Sequence, residues 1–265
     1  MKTAKRKQVL KALEIEAWVP RGAEPAAVEV AAAPVEEEAE KRSRGRPRLN
    51  PIAETVVATK TAERPSKAGA VVRTDYVAPT DWEGLRAAVK SCERCKLCPT
   101  RTQTVFGTGN EHASLMVVGE GPGADEDASG EPFVGRAGKL LDEMLKSIGR
   151  SRKDNVFIAN VVKCRPPGNR DPEADEAEAC RPFLEQQIKL VKPKMILALG
   201  RIAAQRLLQT DEPLSKLRGP IHEYGPDKTP LFITYHPAYL MRSPREKAKS
   251  WDDLKKVYRH IEKAG

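Results

Sequence analysis

The sequence predicts an α/β fold, with a central four-stranded parallel sheet flanked by helices and a disordered tail ahead of it. Two observations support this prediction. Four short apolar runs alternate with segments of helical periodicity, which is typical of a parallel sheet covered on both faces. The glycine-rich and polar residues that stand out in the sequence follow directly after those runs. We assign the folded domain to residues 81–265 and the tail to residues 1–80.

The predicted strands are Leu115–Gly119, Val156–Val162, Met195–Gly200 and Leu231–Tyr235. The predicted helices are Trp82–Ser91, Gly138–Ile148, Pro172–Leu190, Arg201–Leu208 and Glu246–Lys263. Active sites of open parallel sheets lie at the carboxyl ends of the strands. Those ends carry Gly119–Gly123, Asn160 and His236-Pro237, so we expect these segments to form one site.

The tail alternates stretches rich in Ala, Pro and Glu with basic stretches. Such a composition buries too little apolar surface to offset the entropy of ordering the chain. Within the tail, Arg44-Gly45-Arg46 resembles the core of an AT-hook, in which arginines enter a narrow A·T minor groove. We therefore predict that Arg44 and Arg46 contact DNA, and the alternative is an ordinary solvated basic linker.

The net charge of +9 favours a polyanionic partner, which is usually a nucleic acid. No apolar run approaches the roughly 20 residues that a membrane helix needs. The basic N-terminus is not followed by the apolar core of a secretion signal. We expect no membrane partner and a cytoplasmic, nucleoid-associated location.

The five cysteines suggest a metal centre. Cys92, Cys95 and Cys98 are spaced two residues apart, and Cys164 and Cys180 follow much later. A CxxC pair presents two thiolates to one centre, and a distant pair could complete a four-cysteine site. Zinc is the second interpretation, although zinc ribbons usually have two short knuckles. A redox pair and unliganded buried thiols remain further alternatives, and spacing leaves open which four cysteines bind.

The glycines at 119, 121 and 123 do not form a dinucleotide-binding fingerprint. Pro122 removes an amide that could bind phosphate, and the third glycine is misplaced. No acidic ribose ligand follows at the expected distance.

Three longer motifs carry a family resemblance. Gly119–Gly123 with Glu126-Asp127 and Gly130–Gly138 resembles the first motif of family 4 uracil-DNA glycosylases. Asn160–Arg170 resembles the middle motif and His236–Pro244 the last. The resemblance extends from about Cys92 to Lys256 and does not include the tail.

The resemblance implies a hydrolase that cleaves the N-glycosidic bond of flipped-out deoxyuridine and so starts base excision repair. The expected partner is uracil-containing DNA, single- or double-stranded, and the expected state is a monomer. The family also implies a structural [4Fe–4S] cluster on Cys92, Cys95, Cys164 and Cys180, which leaves Cys98 as a bystander.

The resemblance also suggests roles within the three motifs. Phe133 would stack on the base, Asn160 would read its Watson–Crick edge, and His236 would donate a hydrogen bond to uracil O2. The first loop presents backbone amides to the base, and Gly121 takes the place of the water-orienting Asp of family 1 enzymes. The catalytic candidates are thus His236, Glu126, Asn169 and Glu120. The substrate-binding candidates are Gly121, Phe133, Asn160 and Asp127.

The choice of water-orienting group stays open among Glu126, Asp127 and Asn169, and Glu126 could instead exclude the methyl group of thymine. Basic residues around the rim are candidates for phosphate contacts. They are Arg136, Lys163, Arg165, Arg170 and Arg242. Arg242-Ser243-Pro244 is the best candidate for a loop that enters the DNA.

Two rival functions remain. One is a related branch of the superfamily that traps DNA covalently, but its Lys/Arg-Arg-x-His insertion has no match between Lys163 and Cys180. The other is a non-catalytic iron–sulfur protein that binds DNA or associates with a polymerase.

Overall fold

The protein, described by a computed structural model over residues 76–263, has one mixed sheet with helices on both of its faces. The strands are β1 (Thr108–Gly109), β2 (Leu115–Gly119), β3 (Val156–Asn160), β4 (Met195–Leu199), β5 (His222–Tyr224) and β6 (Thr229–Thr234). The helices are α1 (Trp82–Lys90), α2 (Ala124–Ser129), α3 (Arg136–Lys146), α4 (Ala174–Val191), α5 (Gly200–Leu208), α6 (Leu214–Leu217), α7 (Pro237–Arg242) and α8 (Lys247–Lys263). Short 3₁₀ turns occupy Cys98–Thr100, Pro167–Asn169 and Pro244–Glu246. Arg44 and Arg46 lie outside the described residues.

The strand order is β1-β3-β2-β4-β6-β5. The four inner strands are parallel, which confirms the predicted central sheet. The sheet nevertheless has six strands rather than four, because β1 and β5 add antiparallel edges. These edge strands have two and three residues, and such short segments carry no periodicity that a sequence pattern could reveal.

Every residue of β2, β3 and β4 is buried, so their apolar runs are continuous rather than alternating. One face of the sheet packs against α1 and α4 through residues such as Leu85 and Phe183. The other face packs against α3 and α8 through residues such as Leu141 and Val257. Both faces are therefore covered, and the buried polar residues of the parallel strands, Asn160 and Thr234, stand at the carboxyl ends of those strands.

Packing on this core begins before the predicted boundary at residue 81. The ring of Tyr76 contacts Phe183 edge-on, with 5.5 Å between the ring centroids. The guanidinium of Arg94 lies 3.9 Å from the centroid of the Tyr76 ring, and Ala78 is buried. Within residues 76–263, no helix combines the length and apolar character that crossing a bilayer requires.

Candidate active-site cleft and cysteine cluster

Loops at the carboxyl ends of the parallel strands surround a cleft of about 470 Å³. The loops that follow β2, β3 and β6 supply most of its wall, so the sheet brings together segments far apart in the sequence. Its predicted catalytic or substrate-binding residues are Glu120, Gly121, Glu126, Phe133, Asn160, Asn169 and His236. The strand ends thus meet at one rim, as the sequence indicated.

A second cavity of about 600 Å³ lies beside α4 and α5, and none of the predicted site residues lines it. Arg181 in its wall is paired with Glu178 and Glu185. Ligand sites usually combine apolar walls with a few polar groups that await a partner. The candidate site is the smaller cleft, because it gathers the residues of all three motifs and holds both unpartnered atoms of the buried Asn160 amide. The larger cavity holds one such atom, Nε of Arg206, and no motif residue predicted to act on a substrate.

Phe133 occupies a strained position in the cleft wall. Its backbone φ of 56° lies in the left-handed region, which is unusual for a bulky side chain. Arg152 holds this turn by donating to the carbonyl oxygens of Pro132 at 3.0 Å and of Phe133 at 2.9 Å. The ring is 7% exposed, and its centroid lies 5.6 Å from that of His236. Strain held in this way is characteristic of functional sites.

Asn160 ends β3 beneath the Phe133 ring. The residue is 1% exposed, yet neither its Nδ2 nor its Oδ1 has a hydrogen-bond partner in the protein. A Cβ on Gly119 would lie 2.4 Å from Asn160 Oδ1 and 2.5 Å from Phe133 Cζ, so the glycine leaves space for both side chains. Buried polar atoms without partners are rare in folded proteins. The amide is therefore placed to bind a ligand that supplies both an acceptor and a donor.

Replacing Gly138 by alanine is expected to destabilise the protein by about 3 kcal/mol and to abolish the function of the cleft. Gly138 lies inside α3, where alanine is normally favoured by about 1 kcal/mol. Here, however, a Cβ would lie 1.8 Å from the carbonyl oxygen of Phe133. Urea unfolding followed by circular dichroism measures the change. The control is Gly149→Ala, where the glycine has φ of 69° and a Cβ meets no atom within 4 Å. A Gly138→Ala variant as stable as that control would contradict the close-contact explanation.

His236 lies just beyond β6, as the N-cap of α7. Its Nδ1 accepts a hydrogen bond from the backbone N–H of Ala238 at 3.2 Å. Withdrawal from water, and then the charge of Arg242, lower the pKa of His236 to about 4, against the opposing charge of Glu126. The ring is therefore neutral near pH 7, and with Nδ1 accepting, its proton is on Nε2.

Glu126 braces the first loop. Its Oε2 accepts from Gly123 N–H at 3.1 Å, and its Oε1 accepts from Val134 N–H at 3.0 Å and Gly135 N–H at 3.2 Å. Three backbone donors therefore hold the carboxylate at the edge of the cleft. This arrangement ties the glycine-rich turn after β2 to the segment that carries Phe133.

Asp127 does not lie with the other predicted substrate-binding residues. It is 3% exposed, and both of its carboxylate oxygens accept from the backbone N–H of Thr102 at 3.0 Å. One residue along a helix turns the side chain by about 100°, so Asp127 faces away from the cleft that Glu126 lines. Its observed contact fastens the segment after the cysteine run to the first loop.

The predicted basic residues divide into different environments. Arg136 and Arg242 are exposed, and Arg242 also lines the cleft. Arg165 donates through Nε to Asn169 Oδ1 at 2.8 Å. Arg170 lines the cleft but forms a bidentate pair with Glu176, whose side chain is fully buried.

Lys163 cannot contact phosphates as predicted, because it is 1% exposed. Its Nζ donates to the carbonyl oxygen of Asn160 at 2.9 Å and to Gln187 Oε1 at 2.6 Å. Burial lowers its pKa to about 8. Lys163 thus connects the segment that ends in Asn160 to helix α4.

Replacing Lys163 by methionine is expected to cost about 2–4 kcal/mol of folding free energy, because two buried acceptors lose their donor. The measurement is urea unfolding of the purified protein followed by circular dichroism. The matched control is Lys189→Met on the exposed face of α4, with an expected change within about 0.5 kcal/mol. Equal midpoints for the two variants would show that the buried ammonium contributes no stability.

Two charged residues of the site were missed by sequence reasoning. The carboxyl of Asp171 shares a hydrogen bond with that of Glu120, and Asp171 Oδ2 lies 2.6 Å from Arg201 Nη2. Burial first, and then the charge of Asp171, raise the pKa of Glu120 to about 7, whereas Arg201 opposes the rise. In the sequence, only the position of Asp171 directly after the middle motif could have indicated its role. Arg201 lies in none of the motifs, so no sequence pattern indicated it.

The cysteines come together from three segments. Cys164 and Cys180 are buried, whereas Cys92 and Cys95 are partly exposed. The thiols of Cys92 and Cys95 both act on the pKa of Cys164, and those of Cys92 and Cys164 act on the pKa of Cys180. Cys98 does not contribute to these two shifts, and it acts instead on Arg101.

The surroundings of the buried thiols suit a cluster. Arg101 Nη1 donates to Cys164 Sγ at 3.1 Å, and the backbone N–H of Lys163 donates to Cys180 Sγ at 3.3 Å. Such donors stabilise the thiolates of iron–sulfur centres. Burial raises the pKa of Cys164 to about 11 and of Cys180 to about 12, which is the reverse of a reactive redox pair. Over residues 76–263, no three Cys, His, Asp or Glu side chains converge as a single bound ion requires.

Comparison with known proteins gives a consistent result. The family model described as the uracil DNA glycosylase superfamily matches residues 106–255. The Type-4 uracil-DNA glycosylase of Sulfurisphaera tokodaii is 44% identical over 181 residues, covering 66% of this chain and 82% of that protein. That of Archaeoglobus fulgidus is 44% identical over 176 residues, covering 64% of this chain and 87% of the relative. That of Thermotoga maritima is 43% identical over 181 residues, covering 67% and 93% respectively.

Proposed function

The chain belongs to the uracil DNA glycosylase superfamily, and we propose that it hydrolyses the N-glycosidic bond of deoxyuridine in DNA, the first step of base excision repair. The observation that carries this proposal is the buried, unpartnered amide of Asn160 inside the cleft. A base inside a duplex cannot reach such a pocket, so the nucleotide must flip out of the helix. Uracil-containing DNA is therefore the proposed substrate.

Asn160 selects uracil by matching its hydrogen-bonding edge. Its Nδ2 donates to uracil O4, and its Oδ1 accepts from uracil N3–H. Cytosine presents a donor and an acceptor in the opposite order, so it would leave both amide atoms unsatisfied. The ring of Phe133 stacks on the base, and the loop that contains Gly121 closes the pocket with its backbone.

His236 assists departure of the base. The C1′–N1 bond breaks with its electron pair passing to uracil, so negative charge develops on O2 while the sugar becomes positive. The neutral imidazole donates its Nε2–H to O2, and this hydrogen bond stabilises the negative charge that develops there. The pKa of about 4 supports this role, because the ring keeps one proton and one fixed orientation across the neutral range.

Glu120 is the acid proposed to orient the attacking water. Glu126 has its oxygens engaged by three backbone N–H groups, and Asp127 faces away from the cleft. Asn169 lines the cleft and engages Arg165 through its Oδ1, so it supports the rim rather than taking a proton. The water oxygen bonds to C1′, its proton passes to the Glu120 carboxylate and then to solvent, and the uracil anion takes a proton from solvent.

The proposed cofactor is a [4Fe–4S] cluster held by Cys92, Cys95, Cys164 and Cys180. When bound, it supplies a cross-link among three distant segments rather than a redox step. Cys164 lies four residues after Asn160, so fixing the thiolates also fixes the strand end that reads the base. The donors from Arg101 and Lys163 support this assignment.

Contacts with DNA would come first from Arg136 and Arg242, which are exposed beside the cleft. Arg165 contributes near the same rim, whereas the charge of Arg170 is largely neutralised by Glu176. Arg44 and Arg46, in the tail, are proposed as further contacts with DNA. We further propose that the protein is a monomer and that it is cytoplasmic and associated with the nucleoid.

A strand-nicking assay tests the activity. Anaerobically purified protein is incubated with a labelled oligonucleotide that contains one uracil, followed by alkali. Matched oligonucleotides carry thymine or cytosine at the same position. We expect cleavage at uracil alone. A cluster-loaded protein that binds the oligonucleotide but leaves it intact would instead support the non-catalytic DNA-binding alternative.

A further inference from the structure

The Glu120–Asp171 pair has a definite chemical arrangement. Two ionised carboxylates repel each other, so the pair favours a state in which one of the two carries a proton. Asp171 Oδ2 lies 2.6 Å from Nη2 of Arg201, so a positive charge stands directly beside the carboxyl group of Asp171. The proton of the pair resides on Glu120, at the wall of the cleft, below about pH 7, and Glu120 is a carboxylate above it.

We propose that Asp171 and Arg201 are positioning residues that set the charge of Glu120, and thereby the pH at which Glu120 can accept the proton of the attacking water. This inference rests on the proposed glycosylase function. Asp171 favours the protonated form of Glu120 through its negative charge and its hydrogen bond. Arg201 favours the ionised form, partly directly and partly by neutralising Asp171. Neither residue touches the reacting atoms.

Other charged and titratable groups also face the cleft. They are Glu126, Arg170, His236, Tyr239 and Arg242, whereas Arg201 lies behind Asp171 and does not line the cleft. Glu126 is held by backbone N–H groups, Arg170 is paired with a buried carboxylate, and His236 is neutral near pH 7. The groups that act on Glu120 are Asp171 and Arg201. The loop after β3 and the start of α5 thus control an acid on the loop after β2.

The arrangement predicts opposite effects from two substitutions. The side chains of Asp171 and Arg201 are 57% and 50% exposed, so replacing either one leaves the core intact. Asp171→Asn removes a negative neighbour and should make Glu120 ionise at lower pH. Arg201→Gln removes a positive neighbour and should make it ionise at higher pH. A loss of structure would move both variants in the same direction.

The experiment is a pH profile of kcat/KM for uracil release by the cluster-loaded enzyme. In the wild type, the rising limb should lie near pH 7, where the pKa of Glu120 lies. Asp171→Asn should move this limb down by about one pH unit, and Arg201→Gln should move it up. The controls are Asp211→Asn and Arg259→Gln, which are exposed positions outside the cleft wall. Both control profiles should match the wild type.

A second readout does not depend on activity. Titration of ¹³C-carboxyl-labelled glutamate by NMR, with the Glu120 signal assigned from its loss in Glu120→Gln, should show the same opposite shifts. The proposal would be overturned if the rising limbs of the two kcat/KM profiles did not move, or if both moved in the same direction. A wild type inactive at every pH would overturn the glycosylase function, while NMR shifts in opposite directions would still support the charge coupling. Absence of those shifts would reject the coupling itself.

Discussion

Replacing His236 by alanine is expected to lower kcat for uracil release by about 10²–10³-fold with little change in KM. In the proposed mechanism, the Nε2–H of His236 meets charge that develops on O2 during bond cleavage, so its loss should affect the transition state more than the bound substrate. The neutral ring is held in place by the Ala238 N–H, which aims the donor into the cleft. Single-turnover kinetics with excess enzyme isolate the chemical step.

The control for this change is His112→Ala, which removes an exposed histidine outside the cleft and should leave kcat unchanged. Circular dichroism and iron content of both variants show whether the fold and cluster are retained. A His236→Ala enzyme with the wild-type single-turnover rate would refute the proposed donor.

Replacing Cys180 by serine is expected to remove the brown iron–sulfur chromophore and to lower the stability of the folded chain. Structural metal centres contribute their binding free energy to folding. Cys180 is buried on α4 and accepts a hydrogen bond from the backbone N–H of Lys163, so serine at this position leaves the proposed cluster one thiolate short. Without the cluster, the segment from Asn160 to Cys164 loses its anchor, and uracil release should fall with it.

Cys98→Ser is the matched control, because Cys98 lies in the same cysteine run but is not among the proposed ligands. Its iron content, visible absorption and melting temperature should equal those of the wild type. Retention of the cluster in Cys180→Ser together with its loss in Cys98→Ser would reverse the assignment. Stoichiometric zinc with no iron in the anaerobically purified wild type would exclude an iron–sulfur centre.

Sequence reasoning placed the central strands within one or two residues at most boundaries. Each strand is buried on both faces, so its apolar run is continuous and bounded by polar residues at the point where the chain leaves the core. The same feature located Asn160 and His236, since polar residues directly after buried strands are unusual. The edge strands β1 and β5 escaped prediction because they are short and partly exposed.

The errors at the site concern side-chain direction and charge pairing. Asp127 and Lys163 were assigned to the cleft and to the DNA-binding rim from their positions in the motifs, but Asp127 faces Thr102 and Lys163 is buried against Gln187. A motif specifies which residue is present and not the element against which it packs. The orientation of the short helix α2 directs Asp127 towards Thr102, and the packing of α4 buries Lys163 against Gln187.

By itself, the sequence determined the parallel sheet and the strand ends that form the cleft, and it predicted the residues now proposed to read and release a base. These depend on local apolar periodicity and on motifs that lie within a few residues of one another. The tertiary structure decided which carboxylates are already engaged by backbone N–H groups, which cysteines pack against the same core and which charged residues lie near Glu120. Those properties depend on electrostatic contacts between loops that are far apart in the chain, and only the packing of the sheet brings them within a few ångströms.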